Sequence, residues 1–279
     1  MKSRILTIQA GLSLGVSLVL LIISCKEPPV EPGLVPVNPA DTLIGFVAPV
    51  TVIKQGPAHG SIETASSVAF RWEGNSGAGS YSCRLNASSW SPWSTKTDTT
   101  FEDLDDTLYL FEVKSRHKNN IIQEQNYPSR SFSVDAVQGP AVLFYPRRKA
   151  VTVSQPFSYE IRAEDVSGLL GCKLALTYDP TVIKIDTIVV GDLVKKNGGG
   201  VQSFLTRDPS GTKIVLEIVI LGVNSKGVAG SGTLATLSCR AVAARQSILE
   251  FVKTETLYRD TANRPIAIRD FVAGKVVAQ

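Results

Sequence analysis

Short runs in which apolar and polar residues alternate recur along most of the chain. Clear examples are residues 67–72, 109–113, 172–178 and 213–220, with glycine, asparagine, aspartate and proline between such runs. Because alternate side chains of a β-strand point to opposite sides, each run would place one side in a core and the other towards solvent. No stretch has the periodicity of a long amphipathic helix, so the pattern predicts an all-β protein of sandwiches or barrels.

The start of the chain has a different pattern. Lys2 and Arg4 precede a mostly apolar run that ends at Ser24-Cys25. Its fully apolar part is shorter than the roughly 20 residues that a membrane-spanning helix needs, and the order of basic, apolar and small residues is that of a signal peptide. The end of the run resembles the lipobox of bacterial lipoproteins. That resemblance implies removal of residues 1–24 and a lipid on Cys25; an ordinary signal peptide and an uncleaved membrane helix are the alternatives.

Proline recurs at short intervals in residues 25–43. Because proline fixes φ and lacks an N–H donor, this segment is predicted to be an extended tether rather than a helix or a central strand. The lipoprotein resemblance implies an extracytoplasmic protein that is attached to a membrane only through its lipid. Lys26 stands where an aspartate would retain an enterobacterial lipoprotein at the inner membrane, which favours the outer membrane or the cell surface.

The rest of the chain, about 240 residues, has room for one large domain or two ordinary ones. Gly139-Pro140 lies between two apolar runs and is a linker signal. We therefore predict one domain over residues 44–136 and another over 138–279, with few contacts across the linker. The net charge is +4, and charges of both signs are interspersed, so nucleic acid is not an expected partner.

The sequence offers little support for catalysis. It has two histidines, His59 and His117, and no paired spacing of histidines or cysteines that would predict a metal site. No serine stands in a G-x-S-x-G motif, and Gly198-Gly-Gly200 opens no helix that could bind a phosphate. Three cysteines remain besides Cys25, which is a poor disulfide framework. We expect no enzyme activity, no cofactor and no metal.

Three runs of the first predicted domain are informative: Phe70-Arg-Trp72, Tyr81-Ser-Cys83-Arg-Leu85 and the run from Leu104 to Val113. Together they resemble strands of a fibronectin type III or immunoglobulin-like sandwich. The last run is similar to the tyrosine-corner strand of these folds, which implies that the Tyr109 hydroxyl bonds to nearby backbone. Such modules serve as spacers or as binding platforms, so the fold alone indicates no function.

Trp90-Ser-Pro-Trp93-Ser94 matches the W-S-x-W-S box of cytokine receptors in its letters. In that family the box precedes the last strand, whereas here it precedes the predicted tyrosine-corner strand. Two tryptophans at this spacing could also stack on sugar rings. The structural alternative is a strand edge with one tryptophan buried and the other partly covering it.

The second predicted domain contains a series of motifs in a fixed order: Pro156–Ala163, Asp165-Val-Ser-Gly168-Leu-Leu-Gly171, Cys172–Ile183 with Tyr178-Asp179-Pro180, Thr187–Val194, Gly230–Ala241 and Gly274-Lys-Val-Val277. This series resembles that of a cohesin, the dockerin-binding module of cellulosome scaffolds. The resemblance covers about residues 140–278. It implies a nine-stranded jelly roll that binds a partner on one sheet.

Strand alternation within this resemblance assigns a core face and an outer face. The predicted core positions are Cys172, Leu174, Leu176, Tyr178, Leu237, Cys239 and Ala241. The predicted partner-binding positions are Lys173, Ala175 and Thr177 on one strand, Ser238 and Arg240 on the next, and Val215, Glu217 and Val219 nearby. The reverse orientation, with both valines in the core, stays open at this point. Cys172 and Cys239 would lie inward on neighbouring strands, either bridged or as free thiols.

Gly171 and Lys173 stand where the best-known dockerin-binding cohesins have asparagine and aspartate, so the resemblance implies a different ligand. We expect a non-catalytic, lipid-anchored envelope protein that docks a protein partner, dockerin-like or other, in polysaccharide binding or degradation. The alternatives are direct binding of a polysaccharide by the jelly roll and a purely structural envelope module. An exposed row of three aromatic residues would favour sugar, and the candidates are Phe144, Tyr145, Phe204 and Tyr258.

Overall fold

The computed structural model describes residues 46–196, 198–222 and 227–279. The predicted signal peptide (residues 1–24) and the predicted tether (residues 25–43), which begins with Cys25, lie outside the described residues. The described chain is almost entirely β-structure, which confirms the all-β prediction. Within these ranges no helix is long and apolar enough to cross a membrane. Residues 47–279 form one compact unit.

Between residues 46 and 135 the structure describes seven strands, which form two sheets. They are β1 (Thr51–Gln55), β2 (Ser61–Glu63), β3 (Val68–Gly74), β4 (Ala78–Leu85), β5 (Asp98–Phe101), β6 (Leu108–His117) and β7 (Ser129–Val134). β1, β3 and β5 form one sheet, and β2, β7, β6 and β4 form the other. Side chains of β3 alternate between buried and exposed, as expected for a strand with one side against a core.

Aromatic side chains fill the core of this first sandwich. Phe70 stacks on Phe111 with ring centroids 3.8 Å apart, and Trp72 is buried beside them. The Tyr109 hydroxyl donates a hydrogen bond to the carbonyl oxygen of Asp105 at 3.0 Å. This confirms the contact that the fibronectin-like resemblance implies, while the family assignment itself stays a prediction.

Twelve described strands follow residue 140. They are β8 (Ala141–Tyr145), β9 (Arg148–Val151), β10 (Pro156–Thr177), β11 (Ile183–Val190), β12 (Gly200–Arg207), β13 (Lys213–Leu221), β14 (Val228–Ala241), β15 (Gln246–Phe251), β16 (Leu257–Asp260), β17 (Pro265–Ile266), β18 (Asp270–Val272) and β19 (Gly274–Ala278). A short 3₁₀ helix, Leu193–Lys195, precedes β12. The resemblance implies nine strands, and four of the twelve (β9, β16, β17 and β18) are only two to four residues long.

β10 passes from one layer of this second sandwich to the other. Its residues 156–164 pair with β14 and β8, whereas residues 171–177 pair with β13, β15 and β16. Between these halves Asp165 and Gly168 have positive φ values of 50° and 67°, and the pairing register with β14 shifts. The bend follows from this local departure from strand geometry.

Both halves of β10 contribute to one core. Ile161 of the first half and Leu174 of the second are fully buried in the same cluster. Cys172 and Cys239 are buried and unbridged, so the free-thiol alternative holds in this structure. The two cysteines lie on different layers, because β14 pairs with the first half of β10 and Cys172 belongs to the second half.

More contacts cross the predicted linker than the sequence led us to expect. The Val137 amide donates to Asp106 Oδ2 at 2.8 Å, and the Gln138 amide donates to Asp270 Oδ2 at 2.7 Å. Every described strand pair nevertheless lies wholly before or wholly after this linker. The division into domains therefore stays a prediction, with a linker that is held by both sides.

Candidate functional site

The orientation of β13 decides between the two readings that the sequence left open. Ile214, Leu216 and Ile218 are buried, whereas Glu217 is exposed and the Val219 side chain is 39% exposed. Val215 lies on the same side of the strand as Glu217 and Val219 and is half-buried. The three predicted positions 215, 217 and 219 thus face outwards, and the alternative with both valines in the core is wrong.

The second half of β10 shows the predicted core face and one exception on its outer face. Cys172, Leu174, Leu176 and Tyr178 are buried as predicted, and Lys173 and Thr177 are half-buried on the other side. Ala175 was predicted to be exposed and is fully buried.

The cover over Ala175 comes from a distant segment. The Val252 amide donates to the Ala175 carbonyl oxygen at 2.8 Å. The Thr256 hydroxyl lies 3.1 Å from both the amide nitrogen and the carbonyl oxygen of Ala175. Because residues 252–256 are far away in sequence, strand alternation could not indicate this cover.

Ser238 and Arg240 do not join the other predicted positions. They lie on β14, where Ser238 is half-buried and Arg240 is exposed. β14 pairs with residues 156–169 of β10 and with β11, not with residues 171–177. The expectation that this strand adjoins Lys173 was wrong, because β10 changes layers between the two. Arg240 instead forms an ion pair with Asp186, with two N–O distances of 2.8 Å.

The remaining predicted residues lie on one outer sheet face, formed by β12, β13, residues 171–177 of β10 and β16. We call it the β12–β16 face. Phe204, Glu217, Lys173 and Leu257 stand opposite one another on successive strands of this face. The next such row is Gln202, Val219, Gly171 and Arg259.

A groove of about 350 Å³ lies on the β13, β10 and β16 part of the β12–β16 face and is lined by Lys173, Glu217, Val219, Leu257 and Arg259, among others. Gly171 lies in this lining and contributes no side chain; a Cβ atom there would stand 3.1 Å from the Ile218 carbonyl oxygen. The groove therefore owes part of its depth to the glycine.

Charged groups surround the apolar part of this face. Lys213 pairs with Glu255 at 3.0 Å, and Arg264 pairs with Asp260 at 2.8 Å. Hydrogen bonds from the Arg264 amide and guanidinium group hold the pKa of Asp260 below its usual range. Lys173 and Glu217 stand directly opposite each other on neighbouring strands, so the centre of the face carries one charge of each sign.

Sequence reasoning missed Phe204, Leu257 and Arg259 as members of this face. Phe204 is 55% exposed on β12, which pairs only with β13 in the described part of the chain. The two-residue spacing of Gln202, Phe204 and Thr206, which places them on one side of a strand, was a usable signal. The partner of each residue across the sheet depends on register, which a single sequence does not reveal.

The W-S-x-W-S box of the first sandwich forms a stack of rings and cations. Lys114 Nζ lies 4.4 Å from the Trp90 ring centroid and 5.4 Å from that of Trp93. Arg84 lies 4.5 Å from the Trp90 centroid, and Arg116 lies 4.6 Å from the Trp93 centroid. The box runs beside β4 as a strand edge, but neither tryptophan is buried. Cations therefore occupy ring faces on which a sugar would stack.

The four aromatic candidates of the second sandwich do not form an exposed row. Phe144 and Tyr258 are fully buried, and Tyr145 is half-buried beneath the Arg162 guanidinium group at 4.5 Å. Of the four, Phe204 alone is exposed. This arrangement gives no support to direct sugar binding through stacked rings.

Asp106, Asp135 and Glu164 bring carboxylate oxygens within 4.8 Å of one another near the linker. The Asp106 carboxylate already accepts two hydrogen bonds, one from the Arg147 guanidinium group and one from the Val137 amide. Burial and the neighbouring Asp106, Asp165 and Asp135 raise the pKa of Glu164. The group joins the two sandwiches, and we assign it no ligand.

About half of this chain is similar in structure to solved cohesin domains. A non-cellulosomal cohesin from Archaeoglobus fulgidus has 14% identity and a TM-score of 0.40, over 50% of this chain and 90% of that one. A type II cohesin domain from the cellulosome of Acetivibrio cellulolyticus has 13% identity and a TM-score of 0.40, over 48% and 92%. The third, from a type I cohesin–dockerin complex of Clostridium thermocellum, has 14% identity and a TM-score of 0.41, over 50% and 98%. Neither a protein-family model nor a curated protein matches the sequence.

Proposed function

We propose that residues 138–279 are a cohesin-like module that docks a protein partner on the β12–β16 face. The observation that carries the proposal is the row of Phe204, Glu217 and Lys173 beside an exposed Val219 and a groove. Protein interfaces combine an apolar centre with a polar rim, and a contiguous apolar patch on a soluble surface often marks an interaction site. The ordered cohesin motifs of the sequence support the same conclusion.

The chemistry of the face favours binding over catalysis. Cys172 lines the groove, but burial raises the pKa of its thiol to about 12, so the reactive thiolate is scarcely populated at neutral pH. Neither histidine of the sequence lies among the groove residues. We therefore propose a non-enzymatic role.

Gly171 and Lys173 also bear on the partner. They replace the asparagine and aspartate that the resemblance assigns to dockerin-binding cohesins, and both line the groove. A glycine and a cation on this strand suit a partner with an acidic group and a side chain that enters the groove. The partner that we propose is therefore a protein other than a dockerin of the best-known type.

The cellular setting of this proposal rests on the sequence. The segment that ends at Cys25 supports an extracytoplasmic lipoprotein, and residues 25–43 support a tether between the lipid and the folded part. Attachment to the outer membrane or the cell surface, and a role in polysaccharide degradation, belong to the same proposal. The cohesin resemblance supports that role.

The test is co-precipitation from an extract of the native cells with the chain as bait. Lys173→Glu reverses a charge at the centre of the face and should reduce recovery of the partner. Lys184→Glu is the matched control, because Lys184 is exposed on β11 of the other layer, opposite Arg240. If both variants lose the partner to the same extent, or if neither variant loses it, docking on the β12–β16 face is contradicted.

A further inference from the structure

Among the residues that the structure describes, β12 is hydrogen-bonded to another strand along one edge only. Within the described residues its ladder partner is β13, and the register runs from the pair Gly200–Leu221 to the pair Arg207–Ile214 without a shift. The opposite edge therefore presents the N–H and C=O groups of alternate residues to solvent. An edge of this kind is a template for another strand.

The side chains of β12 make this edge unusual for a protein surface. Seven of its eight residues are exposed. Phe204 and Leu205 are neighbours in the strand and so point to opposite sides, yet they are 55% and 44% exposed. Both sides of the strand thus leave apolar surface in water.

Natural edge strands are commonly protected by lysine, proline or a bulge. β12 contains no lysine and no proline, and its regular register excludes a bulge. Its one charged residue, Arg207, is at the end and donates a hydrogen bond to the Ile185 carbonyl oxygen at 2.9 Å. The middle of the strand is exposed and carries two apolar side chains, Phe204 and Leu205.

The charges at the two ends select the occupant. Exposed Lys195 and Lys196 precede the strand, and Arg207 ends it. A second copy that paired antiparallel about the strand centre would bring these like charges together. The aspartates next to these cations already have partners in their own chain. Asp192 Oδ1 lies 4.0 Å from Lys195 Nζ, and the Asp208 carboxylate accepts hydrogen bonds from the Ser210 hydroxyl and the Lys213 amide. The pattern therefore favours a different chain with acidic residues at the ends of its strand.

We infer that the partner adds an extended segment to β12, with apolar residues at alternate positions and acidic residues at both ends. Backbone hydrogen bonds would supply affinity, and side chains against Phe204 and Leu205 would supply specificity. This inference rests on the proposed function and names the chemistry of its partner.

The test uses the full chain and a synthetic peptide. The peptide has a central stretch of five residues in which valine and threonine alternate, and two glutamates at each of its ends. Binding is measured by calorimetry and by hydrogen exchange of the β12 amides. We expect binding, slower exchange in β12, and affinity reduced about tenfold when lysines replace the glutamates. No binding, or equal affinity for both peptides, would overturn the inference.

Two proline variants locate the contact. Successive residues of a strand direct their N–H groups to opposite edges, so one of Ser203→Pro and Phe204→Pro removes a donor from the free edge. We expect that variant to keep the melting temperature of the wild type and to bind the acidic peptide about tenfold more weakly. Full affinity in both variants, or a dimer of the free chain that this variant abolishes, would overturn the inference. If Lys173→Glu loses the native partner but both proline variants retain it, docking stands and strand addition fails.

Discussion

The backbone amide of Arg147 donates a hydrogen bond to Asp105 Oδ1 at 2.7 Å, although the two residues belong to different sandwiches. The Arg147 guanidinium group lies 3.1 Å from Asp106 Oδ1, and Lys275 Nζ lies 2.6 Å from Asp103 Oδ2. One acidic turn of the first sandwich thus holds two cations of the second. The fixed junction would present the β12–β16 face in a defined orientation to the rest of the chain.

Asp106→Ala should destabilise this junction. The Arg147 side chain is only 9% exposed, and removal of its partner leaves a buried charge without compensation. We expect a loss of about 3 kcal/mol in the free energy of unfolding, measured by denaturant titration. The double variant Asp106→Ala, Arg147→Met should recover much of that loss. A single variant as stable as the wild type would contradict a structural role for the pair.

The same variant should expose the linker to proteases. In the wild type the Val137 amide is bonded to Asp106 and the Gln138 amide to Asp270, so we expect limited proteolysis to spare residues 137–140. Asp106→Ala should permit cleavage there. Rapid cleavage of the wild-type linker would show that these contacts are too weak to hold the two sandwiches together.

Tyr109→Phe tests the turn that carries these acidic residues. Burial, followed by the charge of Asp105, raises the pKa of Tyr109 from 10.0 to about 12. The contribution of its hydroxyl to stability should therefore be constant below pH 10 and should fall as the pH rises towards 12. The difference in unfolding free energy between wild type and variant, about 1 kcal/mol at pH 7, should shrink over that interval. A difference that persists unchanged at pH 12 would contradict this assignment.

Lys114→Ala should weaken the first sandwich by removing the cation between Trp90 and Trp93. A cation over an aromatic ring at a partly exposed site contributes about 0.5–1 kcal/mol, and Lys114 contacts two rings. Tryptophan fluorescence and the melting temperature should both change. Lys118→Ala serves as the control, because this exposed lysine lies beyond the end of β6. Equal effects of the two variants would argue against the stack.

The alternation of the sequence predicted both strands and the core side of residues 172–178 of β10, because it is regular and one side is buried. It left open which side of β13 faces the core. It did not reveal that β10 changes layers, since the bend depends on the conformations of Asp165 and Gly168 rather than on hydrophobicity. Ser238 and Arg240 were misplaced for that reason. The cover over Ala175 and the register of Phe204 against Glu217 arise from residues distant in the chain. Local patterns do not encode such contacts.

Cys25→Ala tests the proposed anchor, which lies outside the described residues. The variant should leave the membrane fraction or accumulate unprocessed, because the lipid is the only membrane attachment in our proposal. Fractionation and mass spectrometry of the N-terminus measure both outcomes. A variant that stays wholly in membranes with its first 24 residues uncleaved would indicate a transmembrane helix instead.

The central claim is that a protein partner binds the β12–β16 face, and Val219→Asp tests it most directly. Val219 is 39% exposed beside the groove, whereas Val242 is 42% exposed just after β14, away from this face. Ile218→Asp is the control for the buried side of β13, because Ile218 is buried and an unpaired carboxylate there should unfold the sandwich. The measurement is recovery of the native partner by each folded variant, with the melting temperature recorded alongside. We predict that Val219→Asp folds and loses the partner, that Val242→Asp folds and keeps it, and that Ile218→Asp does not fold. A folded Val219→Asp variant that recovers as much partner as the wild type would contradict the account.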